Sequence, residues 1–304
     1  MRYFKLAYYR RKLEKLLEIY YPLYYRWLYC EKIYQYSTGK KLNWKNPNDI
    51  NQKLFWLARY WQNPLIVDLS DKIKVREYLK NLSLEYILTP LYNMYDSVDE
   101  IDFEKLPNQF VLKLNHGSAM NIIVKDKMKI NYQEVKDKLN DWYNIDYGLD
   151  IGEFHYSKIE KKIVCEKFLE SGDSKSLIDY KLHCFNGEPV FFLICSDRKS
   201  DINKVSLTSY DLEWNRLYYL NNEEDNFLEF EKPLKINEMI MIARILSKPF
   251  PYVRVDLYYV DNKIFFSELT FTPAANIMHY YKQTTLDMMG NMLILPKHKI
   301  TNNW

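Results

Sequence analysis

A chain of 304 residues with 47% hydrophobic and 27% charged side chains carries enough apolar material for a sizeable core. Its net charge of +3 is too small to argue for a nucleic-acid partner. Cys30, Cys165, Cys184 and Cys195 show no CxxC spacing, which excludes a cysteine-type zinc site and points to buried thiols in a reducing compartment. No apolar run has the length of a transmembrane helix and no signal peptide opens the sequence, so the expected location is cytoplasmic.

Residues 1–36 are basic and tyrosine-rich, with apolar residues at helical spacing and Arg10, Arg11, Lys12 and Lys15 on one face. Such a segment either leans on an anionic membrane surface or packs on the body with its cations in solvent. Packing is preferred, because aromatics also build cores. Asn46-Pro47-Asn48-Asp49 signals a helix start, with Leu54, Trp56, Leu57 and Tyr60 to follow. Ser70-Asp71 suits a cap for a second helix through Val75 and Leu79, and a strand broken by Pro90 is expected over 87–95.

Phe110–Leu114 and Asn121–Val124 read as two short strands around a polar turn, Asn115-His116-Gly117-Ser118. Gly117 lets a ligand approach the backbone, consecutive amides in such a turn can cradle an anion, and Lys113 and Lys125 add positive charge. A surface helix over 132–143, a buried strand over 162–169 and a hairpin at Asn186-Gly187 come next. Residues 199–235 read as polar and irregular, with Tyr210–Trp214 as their apolar anchor. A helix over 237–246, strands over 252–260 and 263–271 joined by Asp261-Asn262, and a last helix through Leu286 and Met289 complete the chain.

On those last strands Arg254 and Asp256, and likewise Glu268 and Thr270, lie two apart and so share a face. Two carboxylates meeting across the hairpin resist ionisation unless a cation neutralises them. Oxygen donors in such a pair suit Mg²⁺ shared with nucleotide phosphates, or Arg254 pairs with one acid as a structural salt bridge. Neither a P-loop nor a dinucleotide fingerprint occurs.

The blocks FVLKLNHGSAMNIIVKDK (110–127), DYKLHCFNGEP (179–189), YDLEWN (210–215), PYVRVDLY (251–258) and ELTFTPA (268–274) together resemble the TupA-like ATP-grasp proteins. That family is associated with teichuronopeptide and polysaccharide gene clusters. The resemblance covers roughly 40–296. It implies an α+β ATP-grasp fold of two lobes clasping Mg-ATP, and a ligase that activates a carboxylate as an acyl phosphate for attack by an amine. The substrates implied are an amino acid and a sugar or uronic acid.

Domain limits follow: 1–40 a basic helical segment, 41–107 a small N-terminal α/β lobe, 108–296 the ATP-grasp domain (divided at 165/166), and 297–304 a tail. The resemblance assigns Lys113 to the α/β-phosphates; His116, Gly117, Ser118 and Asn121 to the loop over the phosphates; and Glu166, Lys167 and Phe168 to the hinge beside adenine. Asp173 falls at the ribose, Lys181 and Arg198 toward the transferred phosphate, with Arg254 beside them. Asp256, Glu268 and Thr270 fall at the metal, where Thr270 replaces the asparagine usual in ATP-grasp enzymes. The alternatives are a glycosyltransferase of the same pathway, for which no DxD motif is found, and a degenerate ATP-grasp scaffold attached through residues 1–36.

Overall fold

The computed structural model describes residues 22–170, 177–196, 205–221, 228–301 and 304. Helix α1 spans Pro22–Thr38. Its Trp27, Cys30 and Tyr34 are buried in the main core, so this part of the N-terminal segment packs on the body; the basic face at 10–15 lies outside the described residues. Helix α2, Ile50–Tyr60, starts where Asp49 accepts the Gln52 amide at 2.9 Å. Helix α3 (Leu65–Ser70), not foreseen from the sequence, precedes α4 (Lys74–Asn81).

A four-stranded antiparallel sheet holds β1 (Leu91–Tyr95), β2 (Phe110–Leu114), β3 (Asn121–Val124) and β4 (Ile163–Lys167) in the order β1-β4-β2-β3. Alternation sends Phe110, Leu112, Leu114, Ile163 and Cys165 to one face. There they pack on Val135 and Leu139 of α5, Tyr132–Asn144. The register places Val111 opposite Glu166 and Lys113 opposite Val164 on the other face. A short helix α6 (Tyr147–Ile151) and a one-turn 3₁₀ segment (Phe154–Lys158) separate α5 from β4.

The larger sheet, all antiparallel, runs β10-β9-β5-β6-β7-β8. Its strands are β5 (Asp179–Phe185), β6 (Glu188–Ser196), β7 (Ser206–Asp211), β8 (Arg216–Leu217), β9 (Tyr252–Val260) and β10 (Lys263–Thr270). Two tight turns set its hairpins. Asn186-Gly187 (φ 52 and 86) and Asp261-Asn262 (φ 49 and 58) adopt the left-handed pair that matches strand twist. One face, with Tyr180, Leu182, Val253, Val255 and Leu257, packs on Met239, Ile242, Ala243 and Leu246 of α7 (Ile236–Ser247). On the opposite face Phe191, Leu193 and Tyr252 meet α2 and α8 (Gln283–Met292).

The break expected at 107/108 falls between β1 and β2, two strands of one sheet. Helices α2 and α3 bury Leu54, Phe55, Ile66 and Leu69 against the clusters of the large sheet. Residues 41–107 therefore share the cores of both sheets rather than closing one of their own. Ile300 and Trp304 of the tail are docked as well: the Gln62 backbone N–H donates to Ile300 O at 2.7 Å, and Trp304 is buried. The segment read as irregular contributes β7 and β8, whose polar, alternating residues suit a sheet edge.

Candidate active site

Strands β5, β9 and β10 bring a row of charges onto the face of the large sheet opposite α7. The register aligns Lys181 with Asp256, and Asp256 with Glu268; the next row aligns His183, Arg254 and Thr270. The second alignment depends on a bulge at Ser267. Counting back from Asp261-Asn262, Phe266 pairs with Leu257 but Glu268 pairs with Asp256. In an unbulged register Ser267 would pair with Asp256, and Glu268, opposite Val255, would stand on the other face.

Asp256 is fully buried and both of its oxygens are engaged. Arg254 Nε donates to Oδ1 at 2.7 Å and Nη2 to Oδ2 at 2.6 Å, while Lys181 Nζ reaches Oδ2 at 2.5 Å. Burial would raise this carboxyl, yet the Arg254 and Lys181 charges overcome it and hold the group down to about 2. Arg254 also donates to Thr270 Oγ1 at 3.1 Å, and Thr270 donates to Glu268 Oε1 at 2.9 Å. Of the two acids, Glu268 is the accessible one, with its side chain 30% exposed. Of the two sequence readings, the salt bridge is the arrangement observed.

Across from this row, Lys113 on β2 pairs with Glu166 on β4 at 2.6 Å, and Arg76 of α4 reaches the same carboxylate at 3.3 Å. The polar turn is fixed at its base by buried Asn115. Its amide nitrogen donates to Asp71 Oδ1 (3.0 Å) and Glu160 O (2.8 Å), while its oxygen accepts the Lys162 amide at 2.7 Å. Ser118 and Asn121 are exposed. His116 is turned inward instead, with Nε2 lacking a partner among the described residues. Burial, reinforced by Lys161 and Lys72, lowers it to about 4 and leaves it neutral rather than a cation for phosphate. Gly117 adopts no special backbone conformation. Its φ is not left-handed; Ala119 takes that conformation at φ 60. A Cβ there would lie 3.0 Å from Cγ of Tyr147, so any larger residue needs that ring to give way.

Four side chains were not foreseen. Lys72, between α3 and α4, donates to Gly117 O at 2.5 Å. Burial lowers its pKa, and it feels Glu268 of the large sheet together with Lys113 and Glu166 of the small one. It therefore lies within electrostatic reach of both sheets. Arg76 lies four residues on, the helical spacing that was the available signal. Glu153 is buried, accepts the Thr272 hydroxyl, and is raised by burial to about 7; Tyr147 lies beside it. Nothing local marks these two. Beyond β10, Ala274, Ala275 and Asn276 form a left-handed run with φ of 50, 51 and 67, a strained backbone of the kind found at functional sites.

Lys167 is exposed at the end of β4 and Phe168 is half-buried under Lys125, 5.9 Å from its ring. Asp173 and Arg198 lie outside the described residues.

A family model described as TupA-like ATPgrasp matches residues 52–294. The chain belongs to the TupA-like ATP-grasp family. Similar solved structures include D-alanine–D-alanine ligase from Bacillus anthracis in complex with ATP, 16% identical over 67% of this chain and 55% of that one, with a TM-score of 0.40. N5-carboxyaminoimidazole synthase from Aspergillus clavatus, in complex with ADP and its ribonucleotide, is 12% identical over 71% and 46%, TM-score 0.41. Phosphoribosylamine–glycine ligase from Thermotoga maritima is 13% identical over 67% and 48%, TM-score 0.40. This chain thus spans about half the length of each of those three. No curated protein matches it.

An ATP-grasp chain implies ATP and magnesium, and the residues can be tested against both. Lys113, with Lys72 over the Gly117 backbone, suits a ligand with an anionic tail, while Val111 and Val164 on the same sheet are buried. Among the described residues no group of three or more His, Cys, Asp or Glu could hold a metal by itself. Magnesium, however, takes one or two carboxylates plus phosphate oxygens and water. Glu268 fits that role. Asp256, with both oxygens committed to cations, serves Arg254 and Lys181 instead. Thr270 already bonds Arg254 and Glu268, so its hydroxyl orients the acid. Among the described residues no helix is long and apolar enough to cross a membrane.

Proposed function

We propose that this ATP-grasp protein is an ATP- and Mg²⁺-dependent carboxylate–amine ligase that forms an amide through an acyl phosphate. Its substrates are an amino acid and a sugar or uronic acid of a bacterial surface polysaccharide, and it works at the cytoplasmic side of the cell envelope. The observation that carries this reading is the Lys181–Asp256–Arg254 cluster with Glu268 beside it, facing Lys72, Lys113 and the Gly117 turn.

Attack of a carboxylate on the γ-phosphate brings two anions together, so the site must supply positive charge before the reaction begins. Lys72 and Lys113 bind the phosphates from the small-sheet side. Arg254, held in one orientation by Asp256 and Thr270, neutralises the incoming carboxylate and the transferred phosphoryl oxygens. Magnesium, when bound, adds neutralisation at the phosphates, and Glu268 would hold it. The Gly117 turn excludes water from the acyl phosphate until the amine arrives. On the motif match alone, Arg198 joins the phosphoryl group, Asp173 the ribose, and Glu166 to Phe168 the adenine edge.

A scaffold without catalysis is supported by the commitment of Asp256 to cations, which leaves one carboxylate for metal. Calorimetric titration of ATP with and without Mg²⁺ separates the two. The ligase reading expects binding that tightens with Mg²⁺, a loss of about tenfold for Lys72→Ala, as for removal of one charged contact, and loss of the Mg²⁺ enhancement in Glu268→Gln. ATP binding indifferent to Mg²⁺ would favour the scaffold.

A further inference from the structure

The segment between α5 and β4 is built with more constraint than a connector needs. Asp146 accepts the Leu149 amide at 3.2 Å and the Ser157 hydroxyl at 2.6 Å, cinching α6 to the 3₁₀ turn. Gly148 is packed so closely that a Cβ would lie 2.3 Å from Ser157 Oγ. Gly152 ends α6 in the left-handed region at φ 83. These restraints fix two side chains. The Tyr147 ring packs against Gly117 and edge-on to Tyr156, with centroids 5.2 Å apart, and its hydroxyl lies beside the Ser118 amide and Glu153. Glu153, buried at 6% exposure, accepts the hydroxyl of Thr272, two residues beyond Thr270.

Thr272, Glu153, Tyr147 and the Gly117–Ser118 backbone thus form a continuous link from the end of β10 to the polar turn. Lys72 grips Gly117 O from the other side. A buried carboxylate is costly to keep, and one whose nearest partners are hydroxyls gains little stability from them. A use in holding the turn accounts for its retention.

We propose that Tyr147 and Glu153 are positioning residues that hold the Gly117–Ser118 backbone against the end of β10, so that the turn and the Arg254–Glu268 face converge on one phosphoryl group. The convergence rests on the ligase reading; the holding of the turn does not. Without it the turn still forms, since Asn115 fixes its base, but it opens more often and admits water.

The test is hydrogen exchange of peptides covering 115–121 in the full chain, without nucleotide, for native protein, Tyr147→Phe, Glu153→Gln and Glu153→Ala. Tyr147→Phe is expected to exchange about tenfold faster in this segment, as for loss of one protecting hydrogen bond, with β2 and β4 unchanged. Glu153→Gln, which keeps an acceptor, retains more protection than Glu153→Ala. Under turnover the same loosening raises ADP released per amide formed while the KM for ATP changes less. Equal exchange in native and Tyr147→Phe protein would overturn the proposal whatever the activity. Faster exchange with no substrate-dependent turnover in any variant would uphold the latch and remove the ligase reading. Should Glu153→Ala not fold, Tyr147→Phe alone decides.

Discussion

Buried ionisable groups set the chemistry of this molecule, and the sign of their contribution to stability differs from one to the next. His116 and His155 are held neutral by burial, lowered to about 4 and about 3, and His183, between the Tyr252 and Tyr281 hydroxyls, lies well below its ordinary value for the same reason. An unfolded chain protonates histidine near pH 6.5, so below that pH it binds more protons than the folded chain. Stability therefore falls with falling pH, by up to ~1.4 kcal/mol per pH unit for each histidine. Glu153 acts oppositely. Raised from 4.5 to about 7, it takes its proton first in the folded state and adds stability as pH drops through that window. Glu153→Gln removes the compensating group, and urea midpoints measured from pH 7 to 4.5 are expected to fall more steeply in the variant than in the native chain. Parallel slopes would show that Glu153 is ionised normally. The sequence exposed Arg254, Asp256, Glu268 and Thr270 because period-two spacing is local. It left Glu153, Tyr147 and Lys72 hidden, because the neighbours that matter lie 30 to 196 residues away in contacts that no periodicity encodes.

At the scale of the element, one residue decides which face an acid occupies. Ser267 is the bulge that puts Glu268 opposite Asp256. Inserting one alanine between Ser267 and Glu268, with the single bulge kept, pairs the alanine with Asp256 and moves Glu268 opposite Val255, on the other face. The expected result is loss of Mg²⁺-enhanced ATP binding, with Cys30 and Cys165, buried far from the hairpin in sequence, still shielded from thiol reagents. Retained enhancement would mean that Glu268 does not hold the ion. The turns at Asn186-Gly187 and Asp261-Asn262 were legible because left-handed turn residues act locally, the helix at 50–60 through its start signal, and those at 132–144 and 236–247 through apolar spacing. The bulge was not, since Ser267 has no compositional mark. Strands β7 and β8 were missed because polar edge strands look like loops.

At the scale of the whole molecule, the two sheets are tied by residues from the first third of the chain. Helices α1 to α4 contribute Trp27, Tyr34, Phe55, Leu69 and Leu79 to the core beneath the large sheet, while β1 completes the small one. This explains why a boundary at 107 fails although the motif blocks were read in the right order: motifs report the site, and shared burial decides the bodies. It also places Lys72, at a junction between two such helices, where it senses both halves. The central claim is that this composite site transfers the γ-phosphoryl group of ATP to a carboxylate for an amine to displace. The direct measurement is ADP release from Mg-ATP across a panel of amino acids and uronic acids, for the native chain and Glu268→Ala. Release that requires both an acid and an amine, and that disappears in Glu268→Ala, is the expected result. Tight ATP binding without any substrate-dependent release would contradict it.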